Sequence, residues 1–130
     1  MDLGLTGRVA VITGGTVGIG LAIAEGLAAE GVNLVLVGRN GERGEAEAAR
    51  VAQAHGISAV AVAADVATAE GCDAVVAETR DVFRGADILI NNAGTGSNER
   101  ILEADDAKWQ YYWDLHVMAA VRLARGIVPT

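Results

Sequence analysis

Lysine, cysteine and proline each occur once in this chain, as Lys108, Cys72 and Pro129. A lone cysteine excludes an intrachain disulfide and fits a reducing compartment. Basic residues are outnumbered 17 to 10, which leaves a net charge of −7. Neither nucleic acid nor an anionic membrane is therefore an expected partner, because both need clustered Lys and Arg. No apolar run approaches the roughly 20 residues of a membrane span. The N-terminus also lacks a charged leader followed by a long apolar stretch, so the expected location is cytoplasmic. Aromatics make up only 4% of a chain that is 52% hydrophobic, so alanine and small aliphatics fill the core and let helices lie close to a sheet. At 130 residues the expectation is one domain, residues 1–130, burying on the order of two-thirds of its unfolded surface.

What the chain has in quantity is alternation. Val9–Ile12, Asn33–Val37, Ile57–Ala63 and Asp87–Ile90 are short apolar runs closed by Gly, Asn or Asp, the pattern of buried strands. Helix-length segments lie between them. Ile19, Ala22, Ile23, Gly26 and Leu27 recur at helical spacing, as do Cys72, Val75, Val76, Thr79 and Phe83, and Gly41–Ala54 has a helical mixture of Glu, Ala and Arg. A last long helix is expected from about Ala107 to Gly126. Its stripe is Trp109, Trp113, His116, Ala120, Leu123 and Ile127, with Pro129 just past its end. Strand–helix repetition with short connections predicts an α/β fold, a doubly wound parallel sheet with helices on both faces.

Between the first strand and its helix, VAVITGGTVGIGLAIAEGL (Val9–Leu27) holds five glycines. Each costs roughly 1 kcal/mol against alanine inside a helix, so structure alone gives little reason for so many. A parallel strand that delivers its carboxyl end into a glycine turn and then a helix is an anion site. Free amides and the positive end of the helix dipole converge there, and glycines let the backbone reach a pyrophosphate. The spacing is Thr13-Gly14-x-x-x-Gly18-x-Gly20. A phosphate-binding P-loop fails on one residue, because Leu21 stands where that motif needs lysine. The plainer alternative is a tight turn with no ligand.

Three motifs in order carry a family resemblance that covers the chain from Gly7 to Pro129. Thr13-Gly14-Gly15-Thr16-Val17-Gly18-Ile19-Gly20 resembles the cofactor loop of the short-chain dehydrogenase/reductase family. Asp65-Val66 after the third strand and Asn91-Asn92-Ala93-Gly94 after the fourth are similar to its further signatures. The resemblance implies a Rossmann-type sheet in the order 3-2-1-4, truncated after about four strands and a long helix. It also implies hydride transfer between a nicotinamide cofactor and a carbonyl or alcohol substrate. Gly14, Thr16, Val17, Gly18, Ile19 and Gly20 would then cradle the diphosphate, Asp65 would bind the adenine amino group, and Val66 would wall the ring. Asn91 would tie the central strands together, and Asn92, Ala93 and Gly94 would border the ribose and nicotinamide. An N-cap for the following helix is the plainer role for Asp65. At the end of the second strand, where an acidic residue would grip the 2′-hydroxyl of NAD, the chain has Gly38-Arg39-Asn40. Arg39 can hold a 2′-phosphate through charge-assisted bonds, which favours NADP(H), with NAD(H) possible.

The family's catalytic tyrosine and the lysine four residues after it are not here. Tyr111 and Tyr112 are followed four places on by Leu115 and His116, and Lys108 precedes both. His116 stands where the family has an asparagine that supports a proton relay. Histidine could relay protons, or it is an ordinary helix residue. No catalytic residue is therefore assigned, and the chain is expected to be inactive alone. An apolar edge strand at Asp87–Ile90 and an uncovered Trp109–Trp113–Ala120–Leu123 stripe would favour self-association. The alternative to a reductase is a non-catalytic nucleotide-binding or self-associating fragment. A methyltransferase on a related sheet fits less well, since it would want an acidic residue near Gly38-Arg39.

Overall fold

A computed structural model describes residues 2–95 and 99–130. Four parallel strands, β1 (Val9–Thr13), β2 (Asn33–Gly38), β3 (Ala59–Ala63) and β4 (Ile88–Ile90), form one sheet in the order β3-β2-β1-β4. Val11 is in register with Val35 on one side and Leu89 on the other, and Val35 with Val60. The connections are α1 (Gly18–Ala29), α2 (Gly41–His55) and α3 (Ala69–Phe83), and α4 (Asp106–Trp113) follows β4. A π-helical turn at Asp114–Met118 joins α4 to α5 (Ala119–Ile127).

The pleat sorts the core into two layers, because successive side chains of a strand point to opposite faces. Val9, Val11, Val35 and Val37 pack with Cys72 and Val75 of α3 and with Leu115, Ala119, Leu123 and Ile127 of the long helix. Ala10, Ile12, Leu34 and Leu36 pack with Ala24 and Ala28 of α1 and with Ala48 and Val51 of α2. Each fully buried Val, Leu or Ile contributes roughly 1.5–3 kcal/mol. Cys72 belongs to this core: its thiol donates to the Val66 carbonyl at 3.3 Å, and burial pushes its pKa up, away from reactive thiolate.

Helix starts are set locally. Asn40 caps α2 by accepting from Arg43 N–H, Thr68 caps α3 through Gly71 N–H, and Asp105 caps α4 through Lys108 N–H. The expected cap role of Asp65 therefore passes to Thr68. The Asp65 carboxylate instead accepts from Ala67 N–H at 3.0 Å, closing the turn before the helix. β3 begins two residues later than expected because Gly56, in the left-handed region at φ 66°, ends α2, and Ile57 N–H returns to the Ala52 carbonyl.

Two helix faces differ from expectation. α1 does not bury Ile19, which is 75% exposed; it meets the sheet through Gly20, Ala24 and Ala28, whose small side chains allow the closest approach. The long helix buries Leu115, Ala119, Leu123 and Ile127, while Trp109 and Trp113 are more than half exposed. The π turn places an extra residue in the helix and rotates the upstream half out of phase with the downstream half.

Close helix contacts give a paired test. A β-carbon at Gly126 would lie 2.6 Å from Val76 Cγ2 on α3, whereas one at Gly26 of α1 would meet nothing within 4 Å. Gly126→Ala should lower stability by about 1–3 kcal/mol through overpacking. Gly26→Ala should raise it by about 0.5–1 kcal/mol through helix propensity. Urea denaturation of the two variants, with unchanged slopes, checks both signs.

Candidate active site at the carboxyl ends of the strands

β1 ends at Thr13, whose side chain is 2% exposed and whose hydroxyl organises the corner. Thr13 Oγ1 donates to the Ile90 carbonyl at 3.3 Å and accepts from the Asn92 and Ala93 amides at 3.0 Å each. Asn92 Nδ2 donates to the Gly14 carbonyl at 3.3 Å. Among the described residues, the tie between the central strands is thus made by Thr13 and Asn92. Asn91, expected in that role, is exposed.

The loop glycines serve separate purposes. Gly14 sits at φ 64°, and a β-carbon there would stand 2.9 Å from Asn92 Nδ2. At Gly20 an added β-carbon would run into the Gly14 carbonyl oxygen and lie 2.6 Å from Asn92 Nδ2, so this glycine is the packing contact between α1 and the strand end. Gly18, at φ 58°, faces open space. The start of α1 has no side-chain cap, since Val17 occupies the capping position and is 55% exposed. The first amides of a helix have no partner within it. Those of α2, α3 and α4 gain a side-chain acceptor, while those of α1 are left to solvent or to a ligand.

This corner opens on a cleft of about 310 Å³, the size of a small-molecule site. Of the residues expected to bind cofactor, Gly14, Thr16, Val17, Arg39, Asp65, Ala93 and Gly94 line it. Gly18, Ile19 and Gly20 form the first turn of α1 beside it. Val66, expected to wall the ring, is 4% exposed and packed in the core, because the chain turns it inward where Asp65 faces the cleft. Gly38 supports the floor: a β-carbon there would stand 2.7 Å from Thr16 Oγ1.

Sequence reasoning missed Arg43 and Thr95, and also Tyr111 and Leu115 as part of this wall. Arg43 lies one helical turn past Arg39, a spacing that could have pointed to it. Among the described residues, neither arginine is paired with a carboxylate, which is also true of Arg80, Arg84, Arg100, Arg122 and Arg125; the cations that are paired are Arg8, Arg50 and Lys108.

His116 lies in the π turn, beside the far end of the cleft. Nε2 accepts from Thr95 N–H at 3.2 Å, and Nδ1 lies 2.9 Å from the Tyr112 carbonyl. Because a carbonyl can only accept, these bonds assign the proton to Nδ1. Both ring nitrogens are engaged by backbone, so the imidazole holds the Gly94–Thr95 segment against the long helix.

Comparison with known proteins places this architecture. The chain belongs to the short-chain dehydrogenase family, whose family model matches residues 8–130. It is 61% identical to L-sorbose reductase from Gluconobacter frateurii, solved in complex with NADPH and L-sorbose. That likeness has a TM-score of 0.97 and covers 99% of this chain and 49% of that one. A Pseudomonas aeruginosa RhlG complex with NADP matches at 30% identity with a TM-score of 0.87, covering 96% of this chain and 48% of that one. The 3-oxoacyl-acyl-carrier-protein reductase of Aquifex aeolicus is 36% identical over 110 residues, which are 85% of this chain and 44% of that protein. The chain spans about half the length of the curated relatives it matches.

The Thr13 junction can be tested directly. Thr13→Val keeps the shape and removes the acceptor of two backbone amides. Stability should fall by about 1–3 kcal/mol, and hydrogen exchange at Asn92 and Ala93 should accelerate selectively.

Proposed function

We propose that this chain forms the NADP(H)-binding part of a short-chain reductase acting on a carbonyl or alcohol substrate. The observation that carries this reading is the uncapped start of α1, which opens, across an unobstructed Gly18, onto the cleft lined by Arg39 and Arg43. Bare amides at a helix start suit a diphosphate. An unpaired guanidinium at the end of β2 suits the 2′-phosphate that distinguishes NADP(H) from NAD(H). The donor set thus fits the cofactor. The NADPH bound by the Gluconobacter and the NADP bound by the Pseudomonas relatives agree with that fit.

The cofactor would supply a hydride for a carbonyl carbon. The residues of this chain bind and orient. Backbone at Gly14 and Thr16–Gly20 holds the diphosphate, and Arg39 holds the 2′-phosphate. Asp65 accepts from the adenine amino group, and Asn92, Ala93 and Gly94 border the ribose and nicotinamide. The proton-transfer pair is a separate matter. A tyrosine hydroxyl titrates near 10 on its own and needs an adjacent cation to pass a proton near neutrality. No tyrosine among these 130 residues is followed four places later by lysine. The chain alone should therefore bind cofactor without turning over a ketone. The likeness to L-sorbose reductase makes a ketose the first substrate class to assay when the catalytic pair is present.

Calorimetric titration with NADPH and NADH tests the reading. NADPH should bind about ten- to a hundredfold tighter, the worth of one charge-assisted interaction, and Arg39→Ala should remove most of that gap. Equal affinities, or no binding of either, would overturn it.

Self-association is a second reading, supported by Ile101, Leu102, Trp109 and Trp113, which are all more than half exposed. An apolar surface of this kind favours burial against another copy. Light scattering should give a mass above that of the monomer that falls on dilution, and a dilution-stable monomer would refute it.

A further inference from the structure

We infer that His116 is a proton-operated latch on the wall of the cleft: the neutral imidazole holds Gly94 and Thr95 against the long helix, and the protonated ring lets them go. Its consequence for binding rests on the cofactor reading above; the latch itself does not. Histidine is the side chain that ordinarily changes charge between pH 5 and 8.

The two ring nitrogens have unequal tasks. Nδ1 carries the proton and donates to the Tyr112 carbonyl at 2.9 Å, a bond inside the long helix. Nε2 has only its lone pair to offer, and it accepts the Thr95 N–H at 3.2 Å from the chain leaving β4. A second proton can settle only on Nε2. There it turns an acceptor into a donor facing another donor, so the bond to Thr95 is lost while the bond to Tyr112 survives. One half of the contact is therefore indifferent to pH, and the other half is present above the titration of the ring and lost below it. The approach is close: a β-carbon at Gly94 would stand 3.0 Å from Nε2 and 3.2 Å from Cδ2. Gly94 thus lets the ring lie directly on the backbone it holds, and both Gly94 and Thr95 line the cleft.

Among the described residues, nothing around the ring compensates an added charge. On its own helix the imidazole faces the Tyr112 ring, with centroids 6.0 Å apart. Asp114, in the same turn, accepts from Gln110 Nε2 at 3.1 Å, and Lys108, farther upstream, is bound by Glu99. One turn on, α5 presents Ala119 and Ala120, and across the gap Gly94 and Thr95 bring no ionisable group. No carboxylate among the described residues is paired with His116. His55 is the internal comparison, since it ends α2 and does not line the cleft.

Two readouts test the latch. In the first, amide and imidazole resonances of the nitrogen-15-labelled chain are followed from pH 8 to 5.5. The Thr95 amide should shift, and lose protection from exchange, with the midpoint of the His116 ring and not that of His55. In His116→Gln, whose side-chain oxygen accepts at every pH, the Thr95 amide should stay fixed across the range. In the second, NADH is titrated calorimetrically at pH 8 and pH 6; it lacks the 2′-phosphate, a group that itself gains a proton near pH 6. Wild type should bind NADH about two- to fivefold more weakly at the lower pH, the worth of one hydrogen bond. His55→Gln should show the same loss, and His116→Gln none. The latch is refuted if the Thr95 amide ignores the His116 titration, or if His116→Gln retains the loss of affinity. NADH that binds at neither pH overturns the cofactor reading, and the Thr95 resonance then decides the latch by itself.

Discussion

The corner after β1 depends on one exclusion: where Gly20 lies, no side-chain atom fits. The Gly14 carbonyl and the Asn92 amide fill that space. This contact fixes how closely α1 approaches the strand, and it also holds the chain leaving β4, because the Asn92 side chain bonds back to Gly14 while the Thr13 hydroxyl accepts from the Asn92 and Ala93 amides. The same crowding directs the open side of the loop outward, at Gly18, where the helix amides are free. The ligand-facing surface is therefore set by packing behind it. Such a site exists before its ligand arrives, so little ordering cost remains for binding.

Electrostatics act here on two length scales. The chain as a whole is acidic, which opposes the approach of a polyanion. Beyond about 8–10 Å, however, surface charge is screened at physiological salt. Within that distance the cleft presents Arg39 and Arg43 against the single carboxylate of Asp65, together with the positive end of α1. Local arrangement thus outweighs net charge. Asp65 itself is partly engaged by the Ala67 amide, which leaves its remaining acceptor capacity for the cleft.

The strands were legible because parallel strands buried on both faces read as unbroken apolar runs, and β1, β2 and β4 fall within a residue of the expected limits. β3 was misplaced at its start because Ile57 is apolar but belongs to the end of α2, a distinction carried by the left-handed Gly56 and not by hydropathy. Strand order came from family likeness, since no periodicity says which strand lies next to which. On α1 the helical recurrence is only part of the packing face: Ile23 and Leu27 pack against the core layer, but the closest contacts to the sheet are made by the small residues Gly20, Ala24 and Ala28, which hydropathy does not single out. In the cleft, residues from contiguous motifs were visible. Tyr111, Leu115 and Thr95 were not, because they reach it from a distant helix and from the segment after the Asn-Asn-Ala-Gly motif. Arg43 was hidden by its surroundings, since an arginine in a Glu/Ala/Arg helix reads as solvated surface.

The π turn at Asp114–Met118 separates the two halves of the last helix into independent rotational frames. Downstream, the Leu115–Ala119–Leu123–Ile127 row is keyed to the sheet and α3, and Gly126 admits no change of azimuth there. Upstream, the shifted azimuth turns Tyr111 toward the cleft, where it packs against the same core layer, while Trp109 and Trp113 stay more than half exposed. Deleting one residue within the turn would restore a uniform helix and swing the upstream half by about 100°. That would carry Tyr111 off the cleft wall and away from Leu115, so the length of this segment matters as well as its composition.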